Sequence, residues 1–320
     1  MTLSDKERNW LDGLKVFVDN MLALEPGERM VSPKYGNEPA FPKFVITEQA
    51  ASWEDFLLWT NRLNGWCFRG QQETSWLLTT SLDRAVYRET KSEISWSVDH
   101  IDRSRLEEEL VFRFQQQAPC HLQHLPASSD RGSWLAMMQH YGVPTRFLDW
   151  TASPYVGMYF ALEKEPVRNE KCAALWALDL DWLQTKGEEL VSPLIEMLLP
   201  VDPYLRAHEI NKLLVPTHGD HGVILQVDPI MGNDRLGSQQ GILLSKFFPE
   251  APFFGILMRM MIHPQLTERP VIRKLEISAA KRIEFLKHLC KMNIHRSSLF
   301  PGLDGFGRYL KLEAELKEQY

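Results

Sequence analysis

The spacing of hydrophobic residues along the chain predicts helices in its first half and strands in its second. Apolar residues recur at helical intervals in three early segments, which are residues 5–24, 76–90 and 103–118; this is the spacing of a single buried helix face. Four short apolar runs bounded by turn residues then predict strands at 173–180, 222–229, 241–248 and 271–277. Helices return at residues 279–292 and 308–319. The pattern therefore predicts an α+β fold.

The same pattern suggests how the chain is divided. Residues 1–45 are expected to form an amphipathic helix and a connector, since residues 25–46 contain four prolines. Residues 46–320 are expected to form the main domain, with a helical insert at about 182–215. Within that domain, Thr47 should begin a capped helix that ends at Asn64–Gly65, and GWCFRGQ should follow as a strand. The acidic residues 107–109 are expected to face solvent.

Residues 139–161 concentrate turns, rings and hydrogen-bonding groups between two apolar segments. An apolar helix from Trp134 should end at residues 140–142, because Pro144 lacks an N–H and fixes its own φ. The predicted continuation is a strand at 146–150, a capped turn at 151–154 and a helix at 155–162. Free N–H groups at that helix start, with Arg146 and Thr151, would suit an anion. A packed and capped corner without a ligand is the alternative.

Composition excludes few functions. The 320 residues carry a net charge of −6, so no global basic field recruits nucleic acid, although Arg259, Arg269, Arg273 and Lys274 could form a local patch. Four scattered cysteines and no apolar run of membrane-spanning length predict a cytoplasmic protein with no membrane association. The paired histidines lack a third ligand at a recognised interval, so we expect no metal site.

Several motifs together resemble the FRG domain family, named for an aromatic-Arg-Gly strand. Phe68, Arg69 and Gly70 supply that strand. In the family order there follow Trp76, Leu77 and SLDR, then QHYGVPTRFLDWTASP with the downstream YFA, then RLGSQQGILL at 235–244 and SLFPGLDGFGRYL at 298–310. The resemblance covers residues 66–310.

The family is in turn similar to ADP-ribosyltransferases. This resemblance implies a split mixed or antiparallel β core with flanking helices and a cleft for NAD as substrate. It also implies an arginine on the first core strand, a hydroxyl or aromatic group on the next, and a glutamate on a later strand. The matching positions here are Arg69, the 151–160 segment, and Gln239 with Gln240. An amide cannot neutralise an oxocarbenium ion or accept a proton, so Asp149 becomes the preferred carboxylate.

These arguments predict a site of eleven residues. The proposed catalytic residues are Arg69, Asp149, Gln239 and Gln240. The proposed NAD-binding residues are Arg69, Gly70, Gln71, His140, Tyr141, Arg146, Thr151 and Tyr159. Arg69 would bind a diphosphate or ribose, and the tyrosine rings would stack on nicotinamide or adenine. An internal ion pair between Arg69 and Asp149 is the structural alternative.

The function expected from the resemblance is NAD-dependent ADP-ribosyl transfer by a toxin or antiviral defence effector. A partner protein, such as an antitoxin or chaperone, would inhibit it. The acceptor would be a nucleic acid, with RNA favoured, or a protein. Two alternatives stay open: a module that binds a nucleotide or phosphate without catalysis, and an NAD glycohydrolase.

Overall fold

The computed structural model describes residues 34–35, 38–39, 45–89, 103–164, 172–198, 222–228, 237–247, 249, 251–262 and 269–317. The amphipathic segment predicted at 5–24 and the second part of the predicted insert, from residue 199, lie outside these ranges. None of the described helices is both long enough and apolar enough to cross a membrane.

The described strands form one small and one large sheet. They are β1 (Lys34–Tyr35), β2 (Glu38–Pro39), β3 (Val45–Ala50), β4 (Trp66–Gln71), β5 (Phe147–Thr151), β6 (Cys172–Asp179), β7 (Ile224–Val227), β8 (Gly241–Lys246) and β9 (Ile272–Ser278). Strands β1 and β2 pair with each other, and the other seven form a sheet of order β3-β9-β6-β4-β5-β8-β7. Only β3 and β9 are parallel among its neighbouring strands. The sheet is therefore mixed, and the α+β prediction is confirmed.

Helices cover both faces of this sheet. They are α1 (Trp53–Thr60), α2 (Ser81–Glu89), α3 (Arg103–Gln117), α4 (Arg131–His140), α5 (Pro154–Leu162), α6 (Leu180–Leu198), α7 (Phe253–Ile262), α8 (Arg282–Lys291), α9 (Arg296–Leu299) and α10 (Leu303–Lys317), with short 3-10 turns at Ala118–Cys120 and Ala279–Lys281. Side chains of β6 alternate between two apolar clusters. One cluster packs α3, α4, α6 and α7 on the sheet, and the other packs α1, α5, α8, α9 and α10.

Strands β4 and β5 barely pair, although they are neighbours in the sheet. Their ladder contains one residue pair, Phe68 opposite Thr151. By contrast, β4 pairs with β6 along its whole length, from Trp66 to Gln71, and β5 pairs with β8 along its whole length. The sheet therefore divides between β4 and β5, which separate beyond that single pair.

Two buried ion pairs connect the helices to the half of the sheet that contains β5 and β8. The Arg146 guanidinium and the Glu107 carboxylate are both fully buried, and Arg146 Nε donates to Glu107 Oε2 at 2.8 Å. Lys246 is also fully buried, and its Nζ lies 2.7 Å from Asp83 Oδ1. Glu107 was expected to be solvated with the rest of the 107–109 run, and this was wrong because it neutralises Arg146. The side chains of Glu108 and Glu109 are 44% and 63% exposed, so the expectation holds better for these two residues.

Two predicted helix starts were also wrong. Residues from Thr47 form strand β3, which pairs from Val45 to Ala50 with β9; the helix begins at Trp53, where Ser52 and Asp55 form a capping box. Helix α2 begins at Ser81 and not at Trp76. The preceding residues give their carbonyls to side chains, as when Gln71 Nε2 donates to Leu77 at 3.1 Å. Tertiary pairing thus overrides local propensity at both places.

Replacing Glu107 by glutamine should lower the free energy of unfolding by about 3–5 kcal/mol, because the buried Arg146 guanidinium loses its anion. Glu109→Gln, on the same helix, is a matched control: its carboxylate is exposed and forms an ion pair with the exposed Arg113 at 3.6 Å. That variant should change the free energy of unfolding by no more than about 0.5 kcal/mol. Urea unfolding of both variants measures the difference, and equal losses would contradict the assigned role of Glu107.

The same carboxylates predict acid sensitivity. Burial alone would raise the pKa of Glu107, but Arg146 and Arg131 outweigh it and hold that pKa below its ordinary 4.5. Asp83 is likewise held below its ordinary pKa of 3.8, by Lys246 and Arg103 against the effect of burial. A lowered folded-state pKa stabilises the fold above the ordinary value, and this stability is lost as pH falls through the folded-state value. The thermal midpoint of unfolding should therefore decrease as the pH is lowered below about 4.5. This decrease should be less steep in Glu107→Gln, which has no carboxylate to protonate at that position.

Candidate functional site

Arg69 reaches across the division between β4 and β5. Its Nη1 donates a hydrogen bond to the backbone carbonyl of Asp149 on β5. Its Nε is shielded from solvent and has no acceptor among the described residues. Burial lowers the pKa of the guanidinium to about 10, while the Asp149 carboxylate opposes this shift. Arg69 is still a cation at neutral pH, and it offers an unused donor at the point where the strands separate.

The carboxylate of Asp149 is exposed at the same place and is held in position by Gln139. Gln139 Nε2 donates to Asp149 Oδ1 at 2.8 Å. The Thr145 hydroxyl donates to Gln139 Oε1, which fixes the amide with its NH₂ group towards Asp149. The alternative of an internal ion pair between Arg69 and Asp149 is therefore only partly confirmed, since Arg69 bonds to the backbone carbonyl of Asp149 and not to its carboxylate. Sequence reasoning missed Gln139, whose position beside Asp149 depends on the packing of α4.

His140 and Tyr141 follow Gln139 at the end of α4, and both are exposed. Tyr141 has 55% of its surface accessible, and the two rings meet edge to face with centroids 5.0 Å apart. Chain connectivity places them next to the residue that positions Asp149. Both are predicted NAD-binding residues, and the structure leaves them exposed to solvent.

Thr151, Gln239 and Gln240 join β5 to the start of β8. Thr151 Oγ1 donates to the Gln239 carbonyl at 2.7 Å, and Ala152 N donates to the Gln240 carbonyl at 2.9 Å. The side-chain amide of Gln239 donates to the Leu299 carbonyl at 3.0 Å. Gln240 is exposed and has a positive φ of 47°. These residues lie beside the candidate site, where the Thr151 hydroxyl and the Ala152 N–H join the end of β5 to the carbonyls of Gln239 and Gln240.

The start of α5 offers fewer free donors than the predicted anion site requires. Its cap is Ser153, whose Oγ accepts from Val156 N, and not Thr151. Thr151 Oγ1 instead accepts from Ser153 N at 3.0 Å. Pro154 supplies no N–H. The packed and capped corner, left open as an alternative, describes this turn better.

Three side chains that were predicted to bind ligand are buried and contact other protein groups instead, so their assignment needs correction. The Arg146 guanidinium donates hydrogen bonds to the Glu107 carboxylate and, through Nη1, to the Phe247 carbonyl at 2.8 Å. Gln71 donates to Leu77 and accepts from Trp176 Nε1 at 2.8 Å. Tyr159 is 1% exposed in the core beneath α5, and burial raises the pKa of its phenol. None of the three side chains is therefore placed to bind a ligand. Arg146 and Gln71 are buried with protein hydrogen-bond partners, and Tyr159 is enclosed in the core.

Gly70 has a packing role. A Cβ at this position would lie 2.1 Å from the Gly157 carbonyl oxygen and 2.4 Å from Ala161 N. Only a residue without a side chain lets helix α5 approach β4 so closely. Gly70 faces α5, on the opposite side of β4 from Arg69.

The basic patch considered for nucleic acid is largely neutralised. Arg273 lies 3.1 Å from Glu48, Lys274 lies 3.4 Å from Glu276, and Arg269 is paired with Asp179. Within the described ranges, no three His, Cys, Asp or Glu side chains come together in a way that could hold a metal ion. The local chemistry thus centres on Arg69 and Asp149.

A comparison with family models matches residues 64–170 to the FRG domain. Residues 64–170 are therefore similar to the FRG domain. The match runs from β4 to beyond α5, so it includes Arg69, Gln139 and Asp149, and it confirms the resemblance inferred from the motifs. The FRG match ends before the glutamine strand. Neither the curated proteins nor the solved structures contain a match to this chain.

Replacing Gly70 by alanine should lower the free energy of unfolding by about 1–3 kcal/mol, since the new methyl group would overlap helix backbone that cannot move freely. Gly237→Ala is the control, because a Cβ there meets nothing within 4 Å. It should leave the thermal midpoint nearly unchanged. A Gly70→Ala protein of unaltered stability that had lost ligand binding would instead assign Gly70 to the ligand site.

Proposed function

We propose that this chain is an NAD-dependent ADP-ribosyltransferase with its site at the division between β4 and β5. One observation carries the proposal: β4, β5 and β8 are consecutive neighbours in the sheet. Arg69 lies on β4 and the segment from Asp149 to Thr151 lies on β5, while Gln239 and Gln240 directly precede β8. The resemblance to ADP-ribosyltransferases assigns the corresponding positions to NAD. Three positions far apart in sequence are therefore brought to neighbouring strands, next to the division in the sheet.

The charges at this division suit a dinucleotide. Arg69 carries a positive charge and a buried, unused donor, and a diphosphate oxygen would satisfy both. The exposed rings of His140 and Tyr141 provide flat surfaces for a base, because stacking on an aromatic ring adds to the energy of burial. Arg69 and Tyr141 replace the longer predicted set as the principal NAD-binding residues.

In the proposed reaction the bond between nicotinamide nitrogen and the ribose C1′ breaks, and its electron pair leaves with nicotinamide. The acceptor forms a new bond to C1′ and loses a proton. Positive charge builds on the ribose as the first bond breaks, as in glycoside cleavage. The exposed Asp149 carboxylate, oriented by Gln139, would stabilise that charge or take the proton. The glutamine amides at 239 and 240 can only hydrogen-bond.

The amide of Gln239 is a specific reason to keep a second candidate function. It is bonded to the Leu299 carbonyl, and no carboxylate occupies the start of β8. A module that binds a nucleotide without cleaving it would need no carboxylate there. NAD hydrolysis, in which water is the acceptor, is a further possible outcome of the same chemistry.

Unrestrained NAD consumption would harm the producing cell. We therefore place the proposed enzyme among toxins or antiviral effectors that an inhibitory partner restrains, with RNA as the favoured acceptor. The neutralised basic patch gives this acceptor no electrostatic support, so the acceptor must be identified directly.

The proposal is tested by incubating the purified chain with adenine-labelled NAD and cell extract. Wild type should transfer label. Arg69→Ala should weaken NAD binding about 10- to 100-fold, the usual effect of losing a hydrogen bond to a charged group. Asp149→Asn should lower turnover by about 10²-fold or more with binding retained. Sensitivity of the label to nuclease or protease identifies the acceptor.

Arg113→Ala is the control for loss of a positive charge, because Arg113 is 71% exposed on α3. This variant should behave as wild type does. NAD that binds without being consumed would favour the binding module, and free ADP-ribose without labelled macromolecule would favour the glycohydrolase. No NAD binding by wild type would refute the proposal.

A further inference from the structure

Trp150 carries a buried hydrogen-bond donor for which the described part of the chain supplies no acceptor. The side chain is 3% exposed, and its indole Nε1 has no partner among the described residues. Leaving a buried N–H unpaired is costly, and native proteins rarely do so. This donor therefore requires a physical explanation.

In three other buried tryptophans the indole N–H donates to an acceptor in the protein. Trp59 Nε1 donates to Glu48 Oε2 at 2.8 Å, Trp134 Nε1 to the Ala127 carbonyl at 3.0 Å, and Trp176 Nε1 to Gln71 Oε1 at 2.8 Å. Each of these N–H groups has an acceptor within the protein. An acceptor that the protein lacks would thus account for the difference at Trp150.

The position of Trp150 indicates where such an acceptor would bind. Phe68 pairs with Thr151, and side chains alternate along each strand, so Arg69 on β4 and Trp150 on β5 lie on the same face of the sheet. Arg69 Nη1 contacts the Asp149 carbonyl, which belongs to the peptide bond joining Asp149 to Trp150. Arg69 Nε is also a buried donor without an acceptor in the ranges that the structure describes. Two unpaired donors therefore lie on opposite sides of the division.

We infer that Trp150 Nε1 and Arg69 Nε together bind an anionic oxygen of a nucleotide diphosphate. This inference rests on the proposed function and names the part of the substrate that the division recognises. Two N–H donors, one of them on a cation, require an acceptor, and a phosphate oxygen supplies both lone pairs and charge. A cationic or purely apolar ligand would leave both donors unpaired.

Both donors are shielded from solvent in this structure, so the ligand must separate the strands further. Little opposes that movement, because one residue pair joins β4 to β5. Each strand keeps a complete ladder with its other neighbour, β6 or β8. The Arg69 contact with the Asp149 carbonyl is the side-chain bond that must be exchanged for the ligand.

Trp150→Phe tests the inference, because it keeps an aromatic ring and removes the N–H. Trp134→Phe is the matched control, since Trp134 is 4% exposed and its N–H already has a protein acceptor. Calorimetry on the full chain would measure binding of NAD, ADP-ribose, inorganic diphosphate and adenosine. Trp150→Phe should bind the three diphosphate-containing ligands about 10- to 100-fold more weakly, with adenosine binding unchanged. Trp134→Phe should bind all four as wild type does.

Stability provides a second readout. Trp134→Phe loses the hydrogen bond to the Ala127 carbonyl, whereas Trp150→Phe loses a donor that has no partner among the described residues. The thermal midpoint should therefore fall further in Trp134→Phe. If Trp150→Phe does not fold, Arg69→Lys serves instead, since it retains the charge and lacks Nε.

The outcomes separate this inference from the proposed enzyme. Equal diphosphate affinity in wild type and Trp150→Phe would overturn the inference and leave the enzyme standing. Weaker diphosphate binding in Trp150→Phe, together with wild type that never consumes NAD, would support the inference and overturn the enzyme. Wild type that binds none of the three diphosphate-containing ligands would overturn both.

Discussion

The single residue pair between β4 and β5 is the constraint on which the candidate site depends. Phe68 and Thr151 hold the two strands together at one point, and complete ladders on the outer sides keep each strand in place. A continuous ladder would have used the backbone groups near Asp149 and closed the space that the Arg69 guanidinium occupies. The sheet can divide here because β4 keeps a complete ladder with β6, and β5 keeps a complete ladder with β8.

Buried charge makes the second half of the sheet stable. Arg146 at the start of β5 is enclosed with Glu107 of α3, and Lys246 at the end of β8 is enclosed with Asp83 of α2. An ion buried without a partner costs far more than a paired one, so these pairs fix where both helices lie. Helix α4 then packs where Gln139 can reach Asp149. The orientation of the exposed carboxylate is thus a consequence of ion pairs buried behind it.

The aromatic-Arg-Gly strand has a simple physical meaning in this fold. Phe68 and Gly70 face helix α5, where the ring joins the apolar core and the glycine permits backbone contact. Arg69, between them, faces the other side and reaches β5. Alternation along a strand thus separates a packing face from a chemical one within three residues. This explains why one residue of the motif belongs to the site while its neighbours support it.

Sequence alone determined the fold class, most strands and the helices α3, α4 and α5, and it directed attention to Arg69 and residues 139–161 as a candidate site. These follow from local periodicity, turn residues and short motifs, which are written in consecutive positions. It did not determine that Glu107 is buried, that Thr47 lies in a strand, or that Arg146, Gln71 and Tyr159 are enclosed. Each of these depends on a partner about 40 to 225 residues away or on a packed face. The tertiary structure also decided that Gln139 positions Asp149 and that Arg69 reaches the Asp149 carbonyl, because strand register and helix packing bring together atoms whose proximity no local pattern encodes.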